Sequence, residues 1–117
     1  MKEADFIELP PMPDVGGFSK LRMSLRENVA AASTAPEQVF KWIQAVEHYG
    51  MTCEKLQDSE GFVSLDIKLC AALTKKITGD VPRTIQLLKK RYAREGRLLK
   101  GRQYLWHVYR YFATDDV

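Results

Sequence analysis

The chain is poor in the groups from which catalytic and metal sites are made. It has two cysteines, Cys53 and Cys70, and two histidines, His48 and His107. Neither the two cysteines nor the two histidines stand at the spacing of about two to four residues that forms half of a structural zinc site. Two thiols are also too sparse a framework to staple a secreted domain, so they read as packing residues of a reducing compartment. No run of about 18 apolar residues is present to cross a bilayer. The opening residues lack the basic start, apolar stretch and small-residue cleavage site of a secretory signal. A soluble, cytoplasmic protein is expected, with no membrane partner, cofactor, metal or small-molecule substrate. Period-two alternation is missing too, which leaves no candidate strand.

Acid is scarce where it matters. Residues 67–114 hold twelve Lys/Arg against two Asp/Glu, whereas residues 1–66 hold six against eleven, so the net charge of +3 conceals two halves of opposite sign. Between positions 83 and 110 stand Arg83, Lys89, Lys90, Arg91, Arg94, Arg97, Lys100, Arg102 and Arg110, with Glu95 the single acid. A local field of that kind recruits polyanions or an acidic protein surface.

What is abundant is helical signal. At 117 residues and 45% hydrophobic content the chain fits one domain with a single core. Residues 1–17 stand apart: Pro10, Pro11, Pro13, Gly16 and Gly17 without apolar period read as an extended arm, mobile unless a partner holds it. Five helices are expected beyond it. The first, about 19–32, carries Leu21, Leu25 and Val29 at spacing four. Thr34-Ala35-Pro36-Glu37 has the form of a capping box before Val39, Phe40, Ile43 and Val46, with Gly50 as the stop. Residues 51–63 read as a connection containing one short helical turn. A third helix from near Ser64 carries Leu65, Leu69, Ala72, Leu73 and Ile77 and ends before Gly79. A fourth, capped by Asp80 with Pro82 in its first turn, carries Val81, Ile85, Leu88 and Tyr92 up to Gly96. A fifth, about 100–112, turns Leu105, Trp106, Tyr109 and Phe112 inward. Tyr104 and Tyr111 are the aromatics expected at its surface.

On this frame the cations form a stripe. Arg83, Lys89, Lys90, Arg94 and Arg97 fall on the fourth helix and just past it, and Lys100 and Arg102 carry the line into the fifth. These seven are the candidate contacts for a phosphate backbone, whose neutralisation releases counterions and makes binding fall with salt. An ordinary solvated helix face also carries Lys and Arg, but mixes in acids; this one repels itself until something neutralises it. Gly96-Arg97-Leu98-Leu99-Lys100-Gly101-Arg102-Gln103 superficially echoes a phosphate-binding loop. Arg102 stands in place of its lysine, Gln103 in place of its hydroxyl, and a helix precedes it. No nucleophile sits beside a base.

The order of elements resembles the Gag, or capsid-like, region of Copia-type LTR retrotransposons. Phe18-Ser19-Lys20-Leu21-Arg22 has the shape of that family's aromatic and Trp–basic opening, with Leu21 at the tryptophan position. Leu65-Asp66-Ile67-Lys68-Leu69, Ala71-Ala72-Leu73, Ile77-Thr78-Gly79 and Leu99-Lys100-Gly101-Arg102-Gln103-Tyr104-Leu105-Trp106 follow in the order of the second half, with Trp106, Tyr109 and Phe112 as its bulky positions. The resemblance implies a non-enzymatic all-helical scaffold that self-associates and packages RNA. It covers about one lobe: related Gags continue into a second helical lobe, and the chain has no zinc knuckle.

The expectation is therefore an all-α, compact bundle of about five helices, with an arm over 1–17, one domain over 18–114 and a tail over 115–117. Its partners would be RNA or another polyanion, and further copies of itself. Two other readings stay open: a protein-interaction module that docks its acidic half on a basic half, and a small helical DNA-binding domain.

Overall fold

The computed structural model describes residues 2–9, 18–77 and 80–115, with side chains described for all of these except 18, 19, 80–82 and 112–115. Five α-helices make up the described body: α1 (Phe18–Ala31), α2 (Pro36–Gln44), α3 (Val63–Lys76), α4 (Asp80–Arg94) and α5 (Gly101–Asp115). Short 3₁₀ turns occupy Ala45–Glu47 and Lys55–Gln57, and no strand occurs among the described residues. The bundle is all-α, as the apolar spacing predicts. Its core joins Leu25 and Val29 of α1, Val39 and Ile43 of α2, Leu65, Leu69 and Leu73 of α3, and Leu105 and Val108 of α5, all fully buried. Each such side chain contributes roughly 1.5–3 kcal/mol by leaving water. α1 packs on α2, α3 on α5, and α4 covers the side of α5.

The helix ends follow local chemistry, once differently from expectation. Gly96, at φ 71°, ends α4 in a Schellman motif: its N–H donates to the Ala93 carbonyl (3.1 Å) and the Arg97 N–H to the Tyr92 carbonyl (2.8 Å). The Arg97 guanidinium lies 4.1 Å from the Tyr92 ring centroid, a cation–π contact where a hydrophobic one commonly closes the motif. The capping box at Thr34 does not form. Ala35 is the N-cap and makes no side-chain capping bond, because Pro36 takes the first helical position, where a missing N–H costs nothing. Ser33 substitutes, donating to the Ala30 carbonyl (2.7 Å) and accepting from the Ala35 N–H (3.3 Å). The expected roles of Gly79, of Asp80 as a cap, and of Val81 and Phe112 in the core lie outside what is described.

The arm expected over 1–17 is extended over residues 2–9 but is held by the chain itself. The Ala4 N–H donates to the Ala32 carbonyl (2.8 Å), and Ile7 and Leu9 are buried. The Glu3 carboxylate accepts from Ser64 Oγ (2.7 Å) and pairs with the Lys68 ammonium, which also donates to the Ala4 carbonyl (2.8 Å). Those hydrogen bonds hold the Glu3 carboxyl below its ordinary range. Residues 10–17 lie outside the described residues.

The position of α5 is set by Gly101, its first residue. A Cβ there would sit 2.4 Å from the Asp66 carbonyl oxygen and 2.6 Å from Leu69 Cβ, so only glycine lets α5 descend onto α3. Gly101→Ala should lift the helix and lower stability by about 1–3 kcal/mol. A reduced urea midpoint with unchanged helix content checks this; an unchanged midpoint contradicts the close approach.

Candidate nucleic-acid interface

The seven candidate cations part into two groups when their surroundings are traced. Arg102 is the clearest correction. Expected at the surface, it is 2% exposed, because the descent of α5 onto α3 carries the start of that helix inside. Its Nη1 donates to the Trp42 carbonyl (3.1 Å) and its Nη2 to the Asp58 carbonyl (2.6 Å). The guanidinium lies 4.8 Å from the Trp42 ring centroid, with Glu60 Oε2 at 3.5 Å. A planar fork with several donors suits a site lined by carbonyls and an aromatic face, and the result is a clamp on the connection between α2 and α3.

Asp66 sets up that clamp. Fully buried, it accepts from the Arg102 backbone N–H (2.8 Å) and from Ser59 Oγ (2.7 Å). A carboxylate from α3 thus caps α5, where unpaired amides and the helix dipole favour negative charge. Burial pushes the Asp66 carboxyl up, and the two hydrogen bonds oppose that rise. Gln103 completes the end of α5. Its Oε1 accepts from the Lys100 N–H (3.0 Å), and its Nε2 donates to the Cys53 carbonyl (3.0 Å) and the Tyr92 hydroxyl (3.2 Å). Burial drives the Tyr92 phenol up to about 12, so it stays neutral. The stretch that echoes a phosphate-binding loop is an internal staple.

Three more candidates are engaged within the molecule. Arg97 pairs with Glu95 (2.8 Å) and Glu54 (3.1 Å) and donates to Gln57 (2.6 Å). Lys100 Nζ donates to the Gln57 carbonyl (3.3 Å). Lys89 Nζ reaches Thr74 Oγ1 (3.1 Å) and lies 5.6 Å from the Tyr104 ring centroid. Tyr104 itself, expected at the surface, is buried, since its helix position is covered by α4.

Arg83, Lys90 and Arg94 remain, all exposed. At about 3.6 residues per turn they lie diametrically opposite Ile85 and Tyr92, the buried pair of α4, and form a true ridge. Among the described residues no carboxylate lies within ion-pair distance of any of them or of Arg91. Leu87, 64% exposed, sits in the middle of the ridge. Sequence reasoning left out a neighbouring seam where Arg91 of α4 and Arg110 of α5 flank His107. Burial, with those two cations, holds the imidazole below its usual range. Arg110 stacks 4.7 Å from the half-buried Trp106 ring, and Tyr111 is exposed as expected.

Asp66 was legible in principle, since it shares the apolar side of α3 with Leu65, Leu69 and Cys70, an odd place for a carboxylate without a partner. Among the described residues no group of three His, Cys, Asp or Glu could hold a metal ion, both cysteines are free thiols, and no helix is long and apolar enough to cross a membrane. No family model, curated protein or solved structure matches the chain.

Asp66→Ala should cost about 3–5 kcal/mol, since it leaves the Arg102 amide and the Ser59 hydroxyl without an acceptor and removes a buried counter-charge. Asp66→Asn keeps one carbonyl oxygen for the amide and should cost less than half of that. Equal losses for the two, by urea unfolding, would refute the capping role.

Proposed function

We propose that the chain is a non-enzymatic helical scaffold, similar to one lobe of a Copia-type Gag, that binds RNA without sequence preference through the α4 ridge. One observation carries this reading: Arg83, Lys90 and Arg94 project from the side of α4 opposite its buried stripe, with no described carboxylate beside them. Arg83 and Lys90 stand two turns apart, about 10.5 Å along the axis, and Lys90 and Arg94 one turn, about 6 Å, so the three can follow a phosphate backbone along the length of the helix. Arg91 and Arg110 widen the field on the α5 side, Arg110 lying 4.7 Å from the Trp106 ring centroid. Lys89, Arg97, Lys100 and Arg102 drop out of the contact set because each already has a partner inside the fold. A cytoplasmic setting, where Cys53 and Cys70 stay reduced, goes with the same reading.

Arg83→Gln, Lys90→Gln and Arg94→Gln combined should weaken binding of a labelled single-stranded RNA at low salt by at least tenfold and flatten the dependence of log Kd on log salt by about 2, near 0.7 per lost phosphate contact. Binding by the unaltered protein that is indifferent to salt, or no binding at low salt, would remove the proposal.

A further inference from the structure

The structure has one further surface whose chemistry is complementary to the ridge. Between the end of α1 and the start of α2 lies an open groove of about 580 Å³, floored by Ala30, Ala31, Pro36 and Phe40 and flanked by Glu27 and Glu37. The small alanines on α1 leave space beside the half-buried Phe40 ring. Glu27 and Glu37 are exposed, and among the described residues neither has a cation within ion-pair distance. Lys41 also borders the groove, so its rim carries one cation against two carboxylates.

The α4 ridge has the opposite pattern. Leu87 is an apolar side chain 64% exposed and serves nothing in its own fold. It has Arg83 one turn before it and Lys90 and Arg94 one and two turns after it on the same face. An apolar centre between cations fits an apolar floor between carboxylates. Ridge against ridge would set like charges face to face, and so would groove against groove, so pairing of identical surfaces is disfavoured on both sides.

We infer that the groove between α1 and α2 receives the α4 ridge of a second copy of this chain, with Leu87 seated against Phe40 and the alanines and the Arg83, Lys90 and Arg94 cations facing Glu27 and Glu37. Such an interface is heterologous: each copy keeps a free groove at one end and a free ridge at the other, so association continues beyond the dimer unless the rotation closes a ring. Charge steers the encounter and salt weakens it, while the Leu87 contact supplies the part that salt does not remove. The inference does not rest on RNA binding, because Leu87 carries no charge.

Two substitutions at exposed helix positions test it without disturbing the core. Leu87→Ser removes the apolar centre and keeps every cation; Ala31→Arg fills the groove and adds a like charge to meet the ridge. Sedimentation velocity from about 10 µM to about 1 mM at low salt spans the range in which a single small interface assembles. The unaltered protein should grow in size with concentration, and each variant alone should associate at least about tenfold more weakly. Mixed, the two variants should form a 1:1 dimer that stops there, since the first contributes its intact groove and the second its intact ridge. A wild type that stays monomeric throughout, a variant that associates as the wild type does, or a mixture that yields no dimer overturns the inference. RNA binding retained by Leu87→Ser while self-association is lost separates the Leu87 contact from the RNA contacts of the cations on the same ridge.

Discussion

A carboxylate on one helix capping the start of another is the contact on which the rest of the bundle rests. Asp66 can reach the Arg102 amide because Gly101 has no Cβ to strike the Asp66 carbonyl. Once α5 is seated, consecutive side chains at its start face the interior. Arg102 clamps the Trp42 and Asp58 carbonyls, and Gln103 ties Cys53 to Tyr92. Trp106 Nε1, a turn further on, donates to the Met51 carbonyl (3.1 Å). A connection with few apolar residues of its own is thereby given a single conformation, including the left-handed pair Glu60 and Gly61. Polar groups do this because backbone carbonyls in a buried connection need donors, and an apolar filling would leave them without any.

The same geometry divides the basic residues by role. A cation near the start of α5 is pulled inward by carbonyls and an aromatic face, whereas the cations opposite the buried stripe of α4 are exposed. Charge counted along the chain therefore overstates the charge at the surface: Arg97, Lys89, Lys100 and Arg102 are engaged within the fold, and Arg83, Lys90, Arg91, Arg94 and Arg110 are exposed. The acidic first half is divided in the same way. Glu47 is held by Arg22 and Arg26 and Glu3 by Lys68, while among the described residues Glu27 and Glu37 have no cation within ion-pair distance.

Helix existence was legible because it depends on spacing alone. Leu21, Leu25 and Val29, or Ile85 and Tyr92, announce their helices, and Gly96 marks its stop by a backbone geometry that few other residues tolerate. What was not legible depends on contacts between segments far apart in sequence. Arg102 looks like any other member of a basic run until Asp66, 36 residues away, draws its helix inward; Tyr104 is covered by α4 packing on α5. The strap over residues 2–9 was hidden by the prolines after it and by its two buried positions, Ile7 and Leu9, being too few to show a period. Thr34 offered a better cap than Ala35, and the preference of Pro36 for the first helical position overrode it.

The division of cations is open to a single comparison on Arg102. Arg102→Met keeps the length and apolar stem of the side chain and removes its charge and donors. Its single-stranded RNA affinity, measured at a temperature where the variant is fully folded, should stay within about twofold of the unaltered protein while the urea midpoint falls, as expected when buried carbonyls lose a charged donor. RNA affinity lost with stability intact would place Arg102 on the binding surface and contradict the interior role on which the whole arrangement stands.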